Sequence, residues 1–253
     1  MLPFHLAAGR ATFQEYGPEQ GLNNVGLHTM IQDRAGYLWV GSDNGLFRYN
    51  GKSFHRYGEQ HGLPSPVILS LGETADGVLW VATPAGLARR AGDRFLPDGP
   101  NVNVEMPDET NLAFDSKDRL YVGTSHGLLV GLPALAGASR KFQLLPGTGS
   151  VAAVHVDPGG VVWFGCDRKL SRLDDGRVEA IGTDQGLPAD VWQSILTDRD
   201  RNLWVRSAGR LLMRKLGAVN FTSEKNLPAT DAAATLFLDR AGRLLAPSDI
   251  GLA

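Results

Sequence analysis

A chain of 253 residues, 43% of them apolar, can bury a full-sized core, and β architectures often reach this length as one domain. Its 25 basic and 27 acidic residues are scattered, for a net charge of -2, so no basic stripe marks a nucleic-acid groove. The single cysteine, Cys166, excludes an intramolecular disulfide and a cysteine-based zinc site, and no apolar run approaches the ~18 residues of a membrane span.

In chain order, Met1 to Ala8 is weakly apolar but lacks a positive start and a long apolar centre. Residues 1–12 read as a disordered N-terminal segment or a leader remnant. Phe13 to Tyr16 is a short strand on its own. Val25 to Gln32 is the next strand, and Asp33-Arg34-Ala35-Gly36 closes it with turn chemistry, a carboxylate for nearby N–H groups and a glycine for positive φ. Tyr37 to Ser42 is a second strand, Asp43-Asn44-Gly45 a turn, and Leu46 to Tyr49 a third strand. Asn50-Gly51 is a hairpin signal before the outer strand Phe54 to Tyr57, and Gly62-Leu63-Pro64 leads to the next unit.

This unit recurs. Leu38-Trp39-Val40 returns as Leu79-Trp80-Val81, Leu120-Tyr121-Val122, Val162-Trp163-Phe164, Leu203-Trp204-Val205 and Leu244-Leu245-Ala246, at steps of 41, 41, 42, 41 and 41 residues. A second column, Gly45-Leu46 to Gly251-Leu252, keeps the same beat. Short apolar runs and glycine turns at a period near 40 are the mark of β-propeller blades. The expectation is an all-β propeller of about six four-stranded antiparallel blades over residues 13–253. The repeats fall at 21–57, 62–97, 104–145, 150–181, 186–222 and 227–253. Met30, Leu71, Leu112, Val154, Ile195 and Leu236 form an apolar column on the inner strand. Beside it runs a small one: Thr29, Ser70, Asn111, Ala153, Ser194 and Thr235. The Trp column should pack blade on blade. The sixth unit stops where its third strand should begin, so the ring reads as incomplete, a fragment of a longer propeller.

Gly21-Leu22-Asn23-Asn24, Ile31-Gln32-Asp33, Gly36-Tyr37-Leu38-Trp39-Val40-Gly41 and Gly45-Leu46-Phe47-Arg48-Tyr49-Asn50-Gly51 resemble the two-component regulator propeller repeat. The second unit resembles it through Gly62-Leu63-Pro64-Ser65 and Leu79 to Thr83, the fifth through Gly186-Leu187-Pro188 and Asp198 to Val205. The resemblance implies the periplasmic sensor region of a membrane-anchored bacterial receptor, whose output is a histidine kinase or a diguanylate cyclase. Any such enzyme activity, and any homodimer, would belong to the parent protein. Propeller lyases or hydrolases and passive scaffolds are the other classes open to this architecture.

Several motifs lack their required context. Gly123-Thr124-Ser125-His126-Gly127 fits a nucleophile elbow but falls between two strands, without the helix that exposes the serine. Gly147-Thr148-Gly149-Ser150 precedes a strand, not the helix a dinucleotide site needs. Asp198-Arg199-Asp200-Arg201-Asn202 has Leu203 where a calcium loop needs glycine. The six histidines are dispersed, so no metal and no cofactor are expected.

The departures from the repeat mark the candidate site. Units four and five replace Gly-Leu by Cys166-Asp167-Arg168-Lys169 and by Arg206-Ser207-Ala208-Gly209-Arg210. These turns should lie at one mouth of the axial channel, with Asp43, Asn44 and His126 on the same rim. The guanidinium forks suit an anionic small molecule or an acidic partner domain. Trp192 is added as a stacking surface, with core packing its ordinary alternative.

Overall fold

The computed structural model describes residues 16–23, 26–99, 112–134, 138–224, 234–238, 241–248 and 251–252. Five antiparallel sheets follow one another along the chain, each of four strands in sequence order from the inside out. The first is Leu27–Gln32, Leu38–Ser42, Gly45–Tyr49 and Phe54–Tyr57. Its strand begins at Leu27; Val25 lies outside the described residues. The inner strands of blades two to five are Ser70–Glu73, Leu112–Phe114, Val151–Val156 and Ser194–Thr197, each against the inner strand before it. This is a β-propeller with five four-stranded blades. The described residues of the expected sixth form two separate two-stranded sheets in place of one four-stranded blade: Phe237–Leu238 pairs with Leu244–Leu245, and Pro247–Ser248 with Gly251–Leu252. The segment 1–12, the strand Phe13 to Glu15, Asn111 and Asp239 lie outside the described residues.

Each blade is pinned at its first turn by one side chain. Asp33 Oδ1 accepts the Tyr37 N–H at 2.8 Å, while Oδ2 accepts the indole N–H of Trp39 at 2.7 Å. Asp157 serves Val161 and Trp163 in the same way, and Asp198 serves Asn202 and Trp204. In blade three Asp115 takes the Arg119 N–H and the Tyr121 hydroxyl; in blade two Thr74 Oγ1 accepts the Val78 N–H. In blades one, three and four the aromatic is thereby buried with its polar atom satisfied.

The aromatic ring then covers the next blade. Trp39 packs with Leu71, Leu79 and Val81, Trp80 with Leu120 and Val122, Tyr121 with Val154 and Val162, and Trp163 with Ile195, Leu203 and Val205. The small inner column also links blades. Ser70 Oγ accepts the Leu112 N–H at 3.2 Å, and Ser194 Oγ accepts the Leu236 N–H at 3.1 Å, so a short hydroxyl satisfies a backbone donor of the next inner strand. Blade junctions repeat too. Gly21, Gly62 and Gly186 sit at φ +91°, +95° and +76°, and a β-carbon there would lie 3.0, 2.1 and 2.6 Å from the carbonyl oxygen of Phe54, Phe95 and Phe221. Only glycine accepts both the left-handed backbone and that approach. The Gly-Leu signature before units one, two and five is therefore a packing requirement.

Candidate functional site

Backbone hydrogen bonds fix which loops share an end of the ring. The Asp43 N–H donates to Gly26 O at 3.0 Å, Ile68 to Ser42 O at 2.9 Å, Asp167 to Ser150 O at 2.7 Å and Gln193 to Arg206 O at 2.9 Å. The turns between second and third strands thus lie beside the connections between blades, forming one rim. These turns are two residues long, Asp43-Asn44, Asp167-Arg168 and Ala208-Gly209, closed by the pairs Ser42–Gly45, Cys166–Lys169 and Ser207–Arg210.

Two residues expected at this rim are not on its surface. Arg206 is fully buried. It stands two residues after Trp204 on one strand, so strand alternation turns both toward the same neighbour. Its Nη1 donates to Thr235 O at 2.7 Å, and burial pushes the guanidinium below its ordinary value. The matching positions in other blades are Gly41, Ala82, Gly123 and Gly165, and a β-carbon on Gly165 would lie 2.2 Å from Trp192 O. Trp192 itself precedes the inner strand and is also fully buried, among Trp163, Leu187 and Ile195. It is core, with no face left for a ligand to stack on.

The remaining rim residues fall into three groups. Asp43 pairs with His28, while Arg56 Nη2 donates to Asn44 Oδ1 at 2.9 Å. His126 faces solvent over the Ser125 hydroxyl, at 3.1 Å. Asp167, at φ +53°, accepts the Ser150 N–H at 3.0 Å and so holds the connection into blade four. The neighbouring Cys166 thiol is pushed up by burial and by Asp167.

Arg168 and Arg210 are brought together by a residue the repeat pattern does not flag. The Asp190 N–H donates to Arg168 O at 3.0 Å, and Asp190 Oδ2 receives Arg210 Nη1 at 2.5 Å and Ser207 Oγ at 2.9 Å. Burial would raise the Asp190 carboxyl, but the bonds from Arg210 and Ser207 outweigh it and hold it below the ordinary range. Arg210 is therefore neutralised. Among the described residues the Arg168 guanidinium donates to Ala189 O and meets no carboxylate, and Lys169 is exposed beside it, so these two carry the positive charge of the rim at blades four and five. Asp43, Asn44 and His126 share the rim but stay on their own blades.

Residues 21–44 and 62–85 match the family described as two component regulator propeller. These stretches hold the junction glycines, the Asp33 turn and the tryptophans Trp39 and Trp80. Two of its repeats, those of blades one and two, match that family's model. No curated protein matches the chain. Among solved structures, it is similar to the extracellular domain of a Bacteroides thetaiotaomicron protein described as a hybrid two component system. That likeness has a TM-score of 0.71 at 20% identity and covers 92% of this chain and 32% of that one. A second such domain from the same organism gives 0.61 at 17% identity, covering 92% and 40%. Virginiamycin B lyase from Staphylococcus aureus gives 0.69 at 16% identity, covering 89% and 78%. At these identities the likeness is one of fold, and the chain spans about a third of the first structure's length. No helix among the described residues is long and apolar enough to cross a membrane.

Proposed function

We propose that this regulator propeller is the sensory module of a bacterial signal-transduction receptor, extracytoplasmic and non-catalytic in itself, which receives a ligand or a partner domain on the rim of blades four and five. The observation that carries the reading is the Arg168–Lys169 pair. Lys169 stands where blades one to three keep the turn glycine, Arg168 precedes it, both face solvent, and no carboxylate among the described residues neutralises them. Repeat columns are constrained by packing, so an exposed departure from them is free to carry specificity. A guanidinium beside an ammonium favours a carboxylate or phosphate on the incoming group. The kinase or cyclase output and the membrane anchor belong to the parent receptor. The repeat match and the likeness to extracellular domains of two-component proteins support this reading over that of a propeller lyase.

The test is charge reversal. Arg168→Glu with Lys169→Glu should abolish signalling by the intact receptor while the thermal midpoint of the propeller changes little. Arg206→Glu is the contrast: a carboxylate buried at Thr235 should cost about 3–5 kcal/mol and compromise folding. A folded double variant that signals like the parent would remove this rim from the reading.

A further inference from the structure

The end of the ring opposite the rim carries a cluster of cations that form no ion pair among the described residues. It lies between blades four and five, where Asp157, Thr197, Arg201, Arg214 and Lys215 line a cavity of about 70 Å³. Such a volume holds a few waters or one small ion. The Arg214 guanidinium lies 4.5 Å from the Trp163 ring centroid and 5.6 Å from that of Phe221. Burial and the Arg172 charge push it below its ordinary value, against a smaller pull from Asp157. Among the described residues no carboxylate forms an ion pair with Arg201, Arg214 or Lys215. Asp157 lines the cavity, but its Oδ1 already accepts the Gly159 and Val161 N–H groups and its Oδ2 the Trp163 indole.

The same molecule shows what this arrangement lacks. Between blades two and three, Arg140 lies over Trp80 at 5.0 Å and over Phe114 at 5.7 Å, again a tryptophan of the preceding blade and a phenylalanine of its own blade. There the guanidinium is neutralised: Arg140 Nη2 meets Asp118 Oδ2 at 2.6 Å. Asp118 occupies the fourth position of its blade's first turn, at φ +59°. The matching residue of blade five is Arg201, at φ +64°. One junction therefore supplies a carboxylate to the stacked arginine, and the other supplies a second cation at the same place. Lys215, on the following turn, adds a third.

We propose that the blade four–five junction binds a tetrahedral oxyanion, a sulfate or phosphate group, held by Arg214, Arg201 and Lys215 in the place that Asp118 fills in blade three. Three cations around a small cavity favour a compact, multiply charged group over a monovalent ion, because each N–H donor gains a charge-assisted bond. The cavity admits the oxyanion and leaves any larger substituent outside.

The test swaps the two junctions. Inorganic phosphate is titrated into the purified chain at constant chloride and followed by phosphorus NMR, with sulfate as competitor. Saturable binding that sulfate displaces is the expected result for the parent chain. Arg201→Asp, which copies blade three, should weaken binding at least about tenfold and raise the phosphate-free thermal midpoint. Arg201→Asn, equally suited to the left-handed backbone, should keep more of the binding and so separates charge from conformation. Arg94→Glu, an exposed charge reversal on the outer strand of blade two, should bind like the parent. A phosphate monoester, glycerol phosphate, separates the sources: tighter binding than the free ion indicates a group borne on a larger molecule, and equal binding a free ion. Should the aspartate variant fail to fold, Lys215→Gln, an exposed substitution, carries the same expectation of weakened binding. No saturation by the parent chain, or an aspartate variant within about twofold of it, overturns the proposal.

Discussion

At the scale of single residues, repeated aspartates and one histidine set the response to acid. His155 Nε2 lies 2.8 Å from Thr197 Oγ1 across the blade four–five junction. Burial pushes its imidazole down to about 4, against a smaller upward pull from Asp157. A histidine whose folded value lies below the unfolded one binds its proton more readily in the unfolded chain. The stability that its neutral form contributes is complete above about pH 6.5 and is lost as the pH falls from there toward 4. The loss should grow by about 1.4 kcal/mol per pH unit in that window, and His155→Gln should remove the slope. Chemical denaturation at a series of pH values reads this directly, and parallel curves for the two proteins would contradict it. A separate loss at lower pH is expected from Asp198. Burial there would raise the carboxyl, yet bonds from Trp204 and Asn202 hold it below the ordinary value, so its contribution persists until the pH falls through that lowered value.

At the scale of elements, each blade has a face that covers and a face that is covered. Leu71, Val154 and Ile195 are 7%, 7% and 8% exposed beneath the aromatics of the preceding blade, whereas Met30, at the matching position of blade one, is 58% exposed. No described blade packs on that face. Leu71→Ala should therefore cost about 2–5 kcal/mol, as a core truncation does, and Met30→Ala less than about 1 kcal/mol. Equal costs would show that another element covers blade one. Trp80→Ala should cost about 3–5 kcal/mol, since its ring is 1% exposed against blade three and carries Arg140 on its face. An unshifted denaturation midpoint would contradict that packing.

At the scale of the whole molecule, stability is close to a sum of blades and their interfaces. Blades two to four have a neighbour on both faces, and the sixth unit adds only two-residue strands. Hydrogen exchange should accordingly protect the strands Leu79–Thr83, Leu120–Thr124 and Val162–Cys166 most, and Phe237–Leu238 and Leu244–Leu245 least. Uniform protection across all six units would point to a more cooperative ring than these interfaces provide.

The sequence by itself determined the repeat, the strand order within a blade, the Trp column and its role, because each rests on contacts that recur at a fixed offset. The aspartate that holds each indole stands six residues before it in blades one, four and five, a spacing open to inspection. Arg206 was also legible in principle, since it shares the alternation of Trp204 and replaces a glycine column. Strand alternation gives a side chain its face, but burial depends on whether another blade covers that face. Only the tertiary structure decided that Arg206 and Trp192 lie inside, that Asp190 joins Arg168 to Arg210, and that Arg214 stands without the carboxylate that Arg140 has. Those outcomes depend on contacts between non-adjacent strands, within a blade or across to the next, and the residues that meet there are some 20 to 40 apart in the chain. A periodic sequence specifies the unit and how it stacks; what an individual charge meets is set by its neighbour across the interface.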